Sequence, residues 1–234
     1  MNYSVMALCS VVLFSFVHLF AAKTRKLSLG LQGRILSTGG GVAIAYVFVD
    51  LLPKLAKSEL ILQSAFSGIF PYFERHVYVL ALAGFLLFFL VDQSRQVFFE
   101  KGRFWLSLGS YALFNFFVGY AVCDKNNPEV QPLVLFTIAM GLHYFVNDFS
   151  ISKEHPKSYG SMARWVLVLS LFCGWAVAVL WTLPAAAVAL VSAFIGGGVI
   201  MNVIRHELPQ NNPHSLSAFF AGAIFYALLL LTIG

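Results

Sequence analysis

The sequence predicts an all-α membrane protein that crosses a bilayer eight times, and three observations lead to this prediction. Hydrophobic residues make up 59% of the 234-residue chain and charged residues only 11%, whereas an average soluble domain is about 25% charged. Mean hydropathy is +0.82. Apolar runs of about 18–22 residues, long enough to cross a bilayer as helices, recur along the whole chain. We therefore expect a single polytopic domain, 1–234, surrounded by lipid.

Eight such runs can be placed on the sequence. The first is not a cleaved signal, because its positive charges (Lys23, Arg25 and Lys26) follow the apolar run. A further apolar segment, 58–73, is broken by glycine and proline and is predicted to form a short interfacial helix. A very tight turn at 181–184 must join the sixth and seventh runs. The predicted spans, one to eight, are 3–22, 36–53, 76–93, 104–123, 131–150, 163–182, 185–206 and 215–233.

Basic residues concentrate in the connections that follow odd-numbered spans. Because positive charge favours cytoplasmic loops, these connections are predicted to be cytoplasmic and both termini extracytoplasmic. The net charge of +5 reflects such loop residues, so no nucleic-acid partner is expected. The eleven basic residues of the odd connections are Lys23, Arg25, Lys26, Arg34, Arg95, Lys101, Arg103, Lys153, Lys157, Arg164 and Arg205; the four of the even connections are Lys54, Lys57, Arg75 and Lys125.

Two segments of the chain resemble each other. Each is an apolar helix that begins with glycines, ends on polar residues and stops at Leu-Pro. A shift of 156 residues brings Gly40, Gly41, Leu52 and Pro53 onto Gly196, Gly197, Leu208 and Pro209. Internal repeats of this kind are typical of transporters. The alternative is a chance likeness between glycine-rich apolar helices.

Polar residues within spans are costly and indicate functional sites. His143 and Asn147 lie four apart on span five, so they share a helix face, and Asp148 follows near the cytoplasmic end. Asn115 on span four differs from His143 in depth by only roughly 6 Å. Imidazole nitrogens and amide or carboxylate oxygens bind metal ions, so these four residues are predicted to form a metal site. The alternative is hydrogen bonding between helices, which is the role expected for Asn202.

Other polar residues lie near span ends. His18 is predicted either to line an exit or to be an interfacial histidine. Asp50 and Asp92 are placed where water can solvate them, and Asp50 falls on His206 in the repeat. His206 and Glu207, at the cytoplasmic boundary, would either catch a cation leaving the protein or form a solvated helix end.

These features together resemble the ZIP (Zrt/Irt-like) divalent metal transporters. The likeness lies in the eight spans, the external termini, the repeat joining spans two and seven, and three segments: Gly40 through Pro53, Phe194 through Pro209, and Phe219 through Ala223. The resemblance implies a ZIP-like 3+2+3 helix arrangement with an inverted repeat and a homodimer. It also implies a metal site between spans four and five.

The metal-site motifs depart from the family pattern. ZIP span four carries a His-Asn pair and then an acid before a glycine, whereas this chain has Phe114-Asn115 and then Val118-Gly119. ZIP span five reads His-Glu-x-Pro and then His or Glu. The corresponding residues of this chain, His143 through Asn147, read His-Tyr-Phe-Val-Asn. The usual two-metal centre is thus reduced to Asn115, His143 and Asn147, with Asp148 one residue beyond the pattern.

Two functions of different classes follow from this pattern. The first is a carrier that moves zinc, or manganese, iron or cadmium, toward the cytoplasm by alternating access, with no resident cofactor. The second is a ZIP-like membrane protein whose degenerate site no longer transports metal and which has a structural or regulatory role. An enzyme is not expected, because the sequence has no Ser/His/Asp grouping, HExxH motif or pair of deep carboxylates.

Overall fold

The computed structural model describes residues 2–66, 76–93, 100–123, 130–154, 159–208 and 213–233. Across these ranges the chain is almost entirely helical and contains no strand. Eight of the described helices are long and apolar enough to cross a membrane. The predicted all-α, eight-span fold is confirmed, and the protein is a multi-pass integral membrane protein.

The helices begin and end close to the predicted limits, with one exception, span two. Span one is Tyr3–Phe20, span three His76–Gln93, span four Glu100–Val122, span five Val130–Glu154, span six Ser161–Leu180, span seven Ala185–Asn202 continued by a π turn Val203–Glu207, and span eight Pro213–Ile233. We call the end of the bundle at which spans one, three, five and seven finish the odd-loop end, and the opposite end the even-loop end.

Span two is much longer than predicted. It consists of the helix Leu29–Tyr46, a π turn at Val47–Leu51 and the helix Leu52–Phe66. Pro53 does not end this helix. In a regular helix a proline ring clashes with the carbonyl four residues earlier, but here the π turn just before Pro53 shifts the main-chain hydrogen bonds by one residue and accommodates the ring. The predicted interfacial helix at 58–73 is therefore wrong for 58–66, which continue span two, and 67–73 lie outside the described residues.

Spans two and seven pack against their neighbours through equivalent glycines. Gly41 of span two is so close to span eight that an added Cβ would collide with the carbonyl oxygen of Phe219. Gly197 of span seven, 156 residues after Gly41, meets the carbonyl oxygen of Ala81 on span three in the same way. The two helix contacts thus use matching positions of the repeat.

The reciprocal contacts also match. Gly84 of span three abuts the carbonyl of Phe194 on span seven, and Gly222 of span eight abuts that of Thr38 on span two. The matched residues of spans two and seven are again 156 positions apart. Those of spans three and eight are 138 positions apart, both for Ala81 and Phe219 and for Gly84 and Gly222. Because each helix of a pair crosses the bundle opposite to its counterpart, the repeat is inverted, as in many transporters.

The turn between spans six and seven is held by one tyrosine. The main chain leaves the helix after Leu180, and span seven begins at Ala185 after the predicted four-residue turn. The hydroxyl of Tyr120 donates to the carbonyl of Trp181 at 3.4 Å and accepts from the Leu183 N–H at 2.8 Å. Span four therefore fixes this turn at the even-loop end.

Candidate functional site

Span five has one face in the interior of the bundle that is apolar in its first half and polar in its second. Leu135, Ala139, His143 and Asn147 follow one another at four-residue spacing, so they lie along one side of the helix. All four are buried, with at most 5% of their surface exposed. Any polar group on this face must find its hydrogen-bond partners within the protein.

His143 and Asn147 form the core of a histidine–amide cluster, which Asn202 of span seven completes. The Asn147 amide donates to Nε2 of His143 at 3.1 Å, and the Asn202 amide approaches the same nitrogen at 3.4 Å and donates to Oδ1 of Asn147. The Tyr111 hydroxyl donates to Oδ1 of Asn202 at 3.3 Å. Since an amide nitrogen can only donate, Nε2 of His143 accepts here and its lone pair points at the two amides.

His18, Asp148 and Asn115 form a second group, the histidine–aspartate cluster. Nδ1 of His18 lies 2.7 Å from Oδ2 of Asp148, and Nε2 lies 3.2 Å from Oδ1 of Asn115. Spans one, four and five each contribute one of these side chains, and none is more than 2% exposed. The interpretation of His18 as an interfacial histidine is wrong, because its ring is buried against Asp148.

Two aromatic rings lie between the clusters. The Tyr144 ring is 4.6 Å from that of His18, and the Phe114 ring is 5.7 Å from that of His143. The four residues predicted to form one metal site are thus divided between two adjacent clusters. The sequence could not show this division, because the partners His18 and Asn202 come from spans one and seven.

Tyr159, just before span six, lies near the odd-loop side of the histidine–aspartate cluster. Its burial raises the pKa of the Tyr159 phenol well above the ordinary value, and the negative charge of Asp148 raises it further. The phenol therefore stays protonated at physiological pH. Nearby, the Arg164 guanidinium donates to the Leu19 carbonyl at 3.0 Å and ties the start of span six to the end of span one.

A small pocket lies between spans three, four and seven in the odd-loop half of the bundle. Asp92 is buried, which corrects the expectation that water solvates it, and its Oδ2 accepts from Nε of Arg205 at 2.8 Å. Asn202 belongs both to this pocket and to the histidine–amide cluster. The pocket is lined by Phe88, Val91, Asp92, Ser107, Ser110, Tyr111, Met201 and Asn202.

The remaining predicted pathway residues lie apart from both clusters or outside the described side chains. Asp50 is partly exposed and pairs with Lys54 at 2.8 Å on its own span. His206 and Glu207 lie in the π turn that ends span seven, but their side chains are outside the described part of the structure. Among the side chains that the structure describes, no three His, Cys, Asp or Glu residues come together as a metal site would require.

No protein-family model matches the chain, and no curated protein matches it.

Proposed function

We propose that this protein is a membrane carrier resembling the ZIP transporters, which moves a divalent cation such as zinc toward the cytoplasm by alternating access. The observation that carries the proposal is the histidine–amide cluster, buried inside the bundle and joined through Asn202 to the pocket at the odd-loop end. Polar groups at such depth are expensive in a membrane and mark substrate pathways.

The cluster offers the chemistry of a weak cation site. Nε2 of His143 carries the lone pair that would bind a borderline-soft ion such as Zn²⁺. The amide oxygens of Asn147 and Asn202 supply neutral oxygen donors. With so little ligand charge the ion would be held loosely, which suits a carrier that must release it.

The inverted repeat supplies the motion. In transporters built this way, one set of helices rocks against the other around a site at the repeat interface. Here span two packs on span eight and span three on span seven through equivalent glycines. Spans four and five carry Tyr111, His143 and Asn147 of the histidine–amide cluster. Spans one to three and six to eight would move about this centre.

Calorimetry on purified protein tests the proposal, using zinc, manganese, iron(II) and cadmium. We expect saturable binding of at least one ion, lost in His143→Ala. Asn147→Asp puts a carboxylate where an amide now meets His143, and added ligand charge should tighten binding by about tenfold or more. His76→Ala, which removes a histidine at the other end of the bundle, is the control for adventitious binding. Absence of binding in both the native protein and Asn147→Asp would contradict the proposal.

A second candidate, a ZIP-like protein that no longer transports, is favoured by one observation. Both histidines of the two clusters already have protein partners, and the described side chains supply no second carboxylate beside them. A structural or regulatory role predicts no saturable metal binding and unchanged function in His143→Ala. The same calorimetry, with uptake into proteoliposomes, distinguishes the two functions.

A further inference from the structure

The repeat relates the two ends of the bundle, and the positions that it matches carry different side chains at each end. The pocket at the odd-loop end uses Asn202 of span seven and Phe88 of span three. In the repeat, the shift of 156 residues places Tyr46 of span two on Asn202. The shift of 138 places Tyr226 of span eight on Phe88. Two tyrosines therefore stand at the even-loop end in the positions from which Asn202 and Phe88 line the pocket at the odd-loop end.

Both tyrosines are buried against span five. Tyr46 is 4% exposed and its ring lies 6.1 Å from that of Phe136 at a steep angle. Tyr226 is 1% exposed, and its hydroxyl donates to the carbonyl of Leu135 at 2.6 Å. Spans two and eight, which correspond to spans seven and three, pack here against span five, whereas the pocket lies against span four.

The lining also changes character between the two ends. At the odd-loop end Asp92 and Asn202 face the pocket. Their counterparts in the repeat are Leu230, which is 6% exposed, and Tyr46. An acid and an amide at one end are therefore matched by apolar and aromatic groups at the other, as expected where one end of a pathway is sealed.

Along span five, the two tyrosines lie on the even-loop side of the histidine–amide cluster. Span five runs from the even-loop end through Leu135 and Ala139 to His143, all on one face. A solute arriving from the even-loop end would meet the tyrosines first, then Ala139, and then His143.

We propose that Tyr46 and Tyr226 close the even-loop end of the transport pathway, so that the structure represents a state with its pocket at the opposite end. This inference rests on the proposed carrier function and adds the residues that seal it. Movement of spans two and eight away from span five would open this end, and the π turn that begins at Val47, directly after Tyr46, gives span two a place to bend.

Thiol accessibility tests the proposal without any substrate. In a background with Cys9, Cys123 and Cys173 replaced by serine, Ala139→Cys puts a thiol behind the tyrosines. A membrane-impermeant methanethiosulfonate is added from the side on which a Lys57→Cys reporter reacts. Tyr46→Ala and Tyr226→Ala should each raise the modification rate of the thiol roughly tenfold or more, because that rate follows the fraction of molecules with an open path.

Tyr78→Ala is the matched control, since Tyr78 of span three is 45% exposed on the outside of the bundle. Equal rates in all the tyrosine variants and the parent, or equal acceleration by Tyr78→Ala, would overturn the proposal. Tyr226→Phe keeps the ring and removes only the bond to Leu135, so it provides a folded variant that should accelerate less than Tyr226→Ala. Faster modification without metal uptake would support closure by the tyrosines but contradict the carrier function. Metal uptake with an unchanged modification rate would support the carrier function but contradict closure by the tyrosines.

Discussion

His18 and Asp148 show how a single pair can matter in this bundle. Each is 1% exposed, whereas the Asp50–Lys54 pair is 21% and 47% exposed. Removing one partner of a buried pair leaves a polar group with no solvent to replace it, at a cost of about 3–5 kcal/mol. An exposed pair contributes about 0–1 kcal/mol. Deep burial therefore makes the first pair far more sensitive to mutation.

Asp148→Asn should lower the free energy of unfolding by about 3 kcal/mol or more, measured by chemical unfolding in mixed micelles. Asp50→Asn is the matched control and should change it by less than about 1 kcal/mol. The double variant His18→Gln with Asp148→Asn should lose less than the sum of the single changes, because the residues are in contact. Equal losses in Asp148→Asn and Asp50→Asn would contradict this account.

At the residue scale the sequence predicted the contacts that helix geometry dictates. His143 and Asn147 are four apart and do bond. His18 and Asp148 are 130 residues apart, and no local pattern links them. Tyr111 gave no signal, because its partner Asn202 lies 91 residues later in the chain, on span seven.

At the scale of the helix, the four matched glycines determine how closely the spans approach. Gly41→Ala and Gly197→Ala each push a Cβ into the main chain of the facing helix, and such overpacking costs about 1–3 kcal/mol. Both variants should unfold at lower temperature in detergent. Gly33→Ala, also in span two but with open space around it, should be neutral or stabilising, since alanine favours helix over glycine by about 0.5–1 kcal/mol. Destabilisation by Gly33→Ala as large as that by Gly41→Ala would contradict the packing argument.

Span two shows where prediction from the sequence failed at this scale. Leu52-Pro53 and Leu208-Pro209 are the same dipeptide in the repeat, and the sequence indicates a helix stop at both. Leu208 does adopt an extended conformation after the helix, as residues before proline prefer. Pro53 is instead accommodated by the π turn that precedes it, and the helix continues to Phe66. The choice depends on packing around the turn, which the dipeptide does not encode.

At the scale of the whole molecule, the distribution of basic residues predicts which end faces the cytoplasm. Lys23, just after span one, and Lys57, on the extension of span two, are both exposed and lie at opposite ends. In intact cells an impermeant thiol reagent should modify Lys57→Cys and reach Lys23→Cys only after permeabilisation, because positive loops stay inside. The native cysteines are replaced by serine in both variants. The reverse labelling pattern would place the termini in the cytoplasm.

The number of spans and the repeat could be predicted from hydropathy and a few glycines. The choice of partner could not. Span two packs on span eight and span three on span seven, and the likeness of spans three and eight rests on little more than Gly84 and Gly222. Close helix packing depends on small residues facing each other, and their facing partners become known only from the fold.

The crossed pairing of these helices has a consequence for biosynthesis. The span eight partner of Gly41, at Phe219, is made about 180 residues later, and at about 5–20 residues per second the delay is roughly 9–36 s. During that time span two sits in the bilayer with its glycine surface facing lipid or a membrane chaperone, and span three waits a shorter time for Phe194 of span seven, which is made 110 residues after Gly84. A nascent chain interrupted after span six would keep those surfaces unpaired indefinitely, and would present the quality-control machinery with helices that insert but cannot assemble.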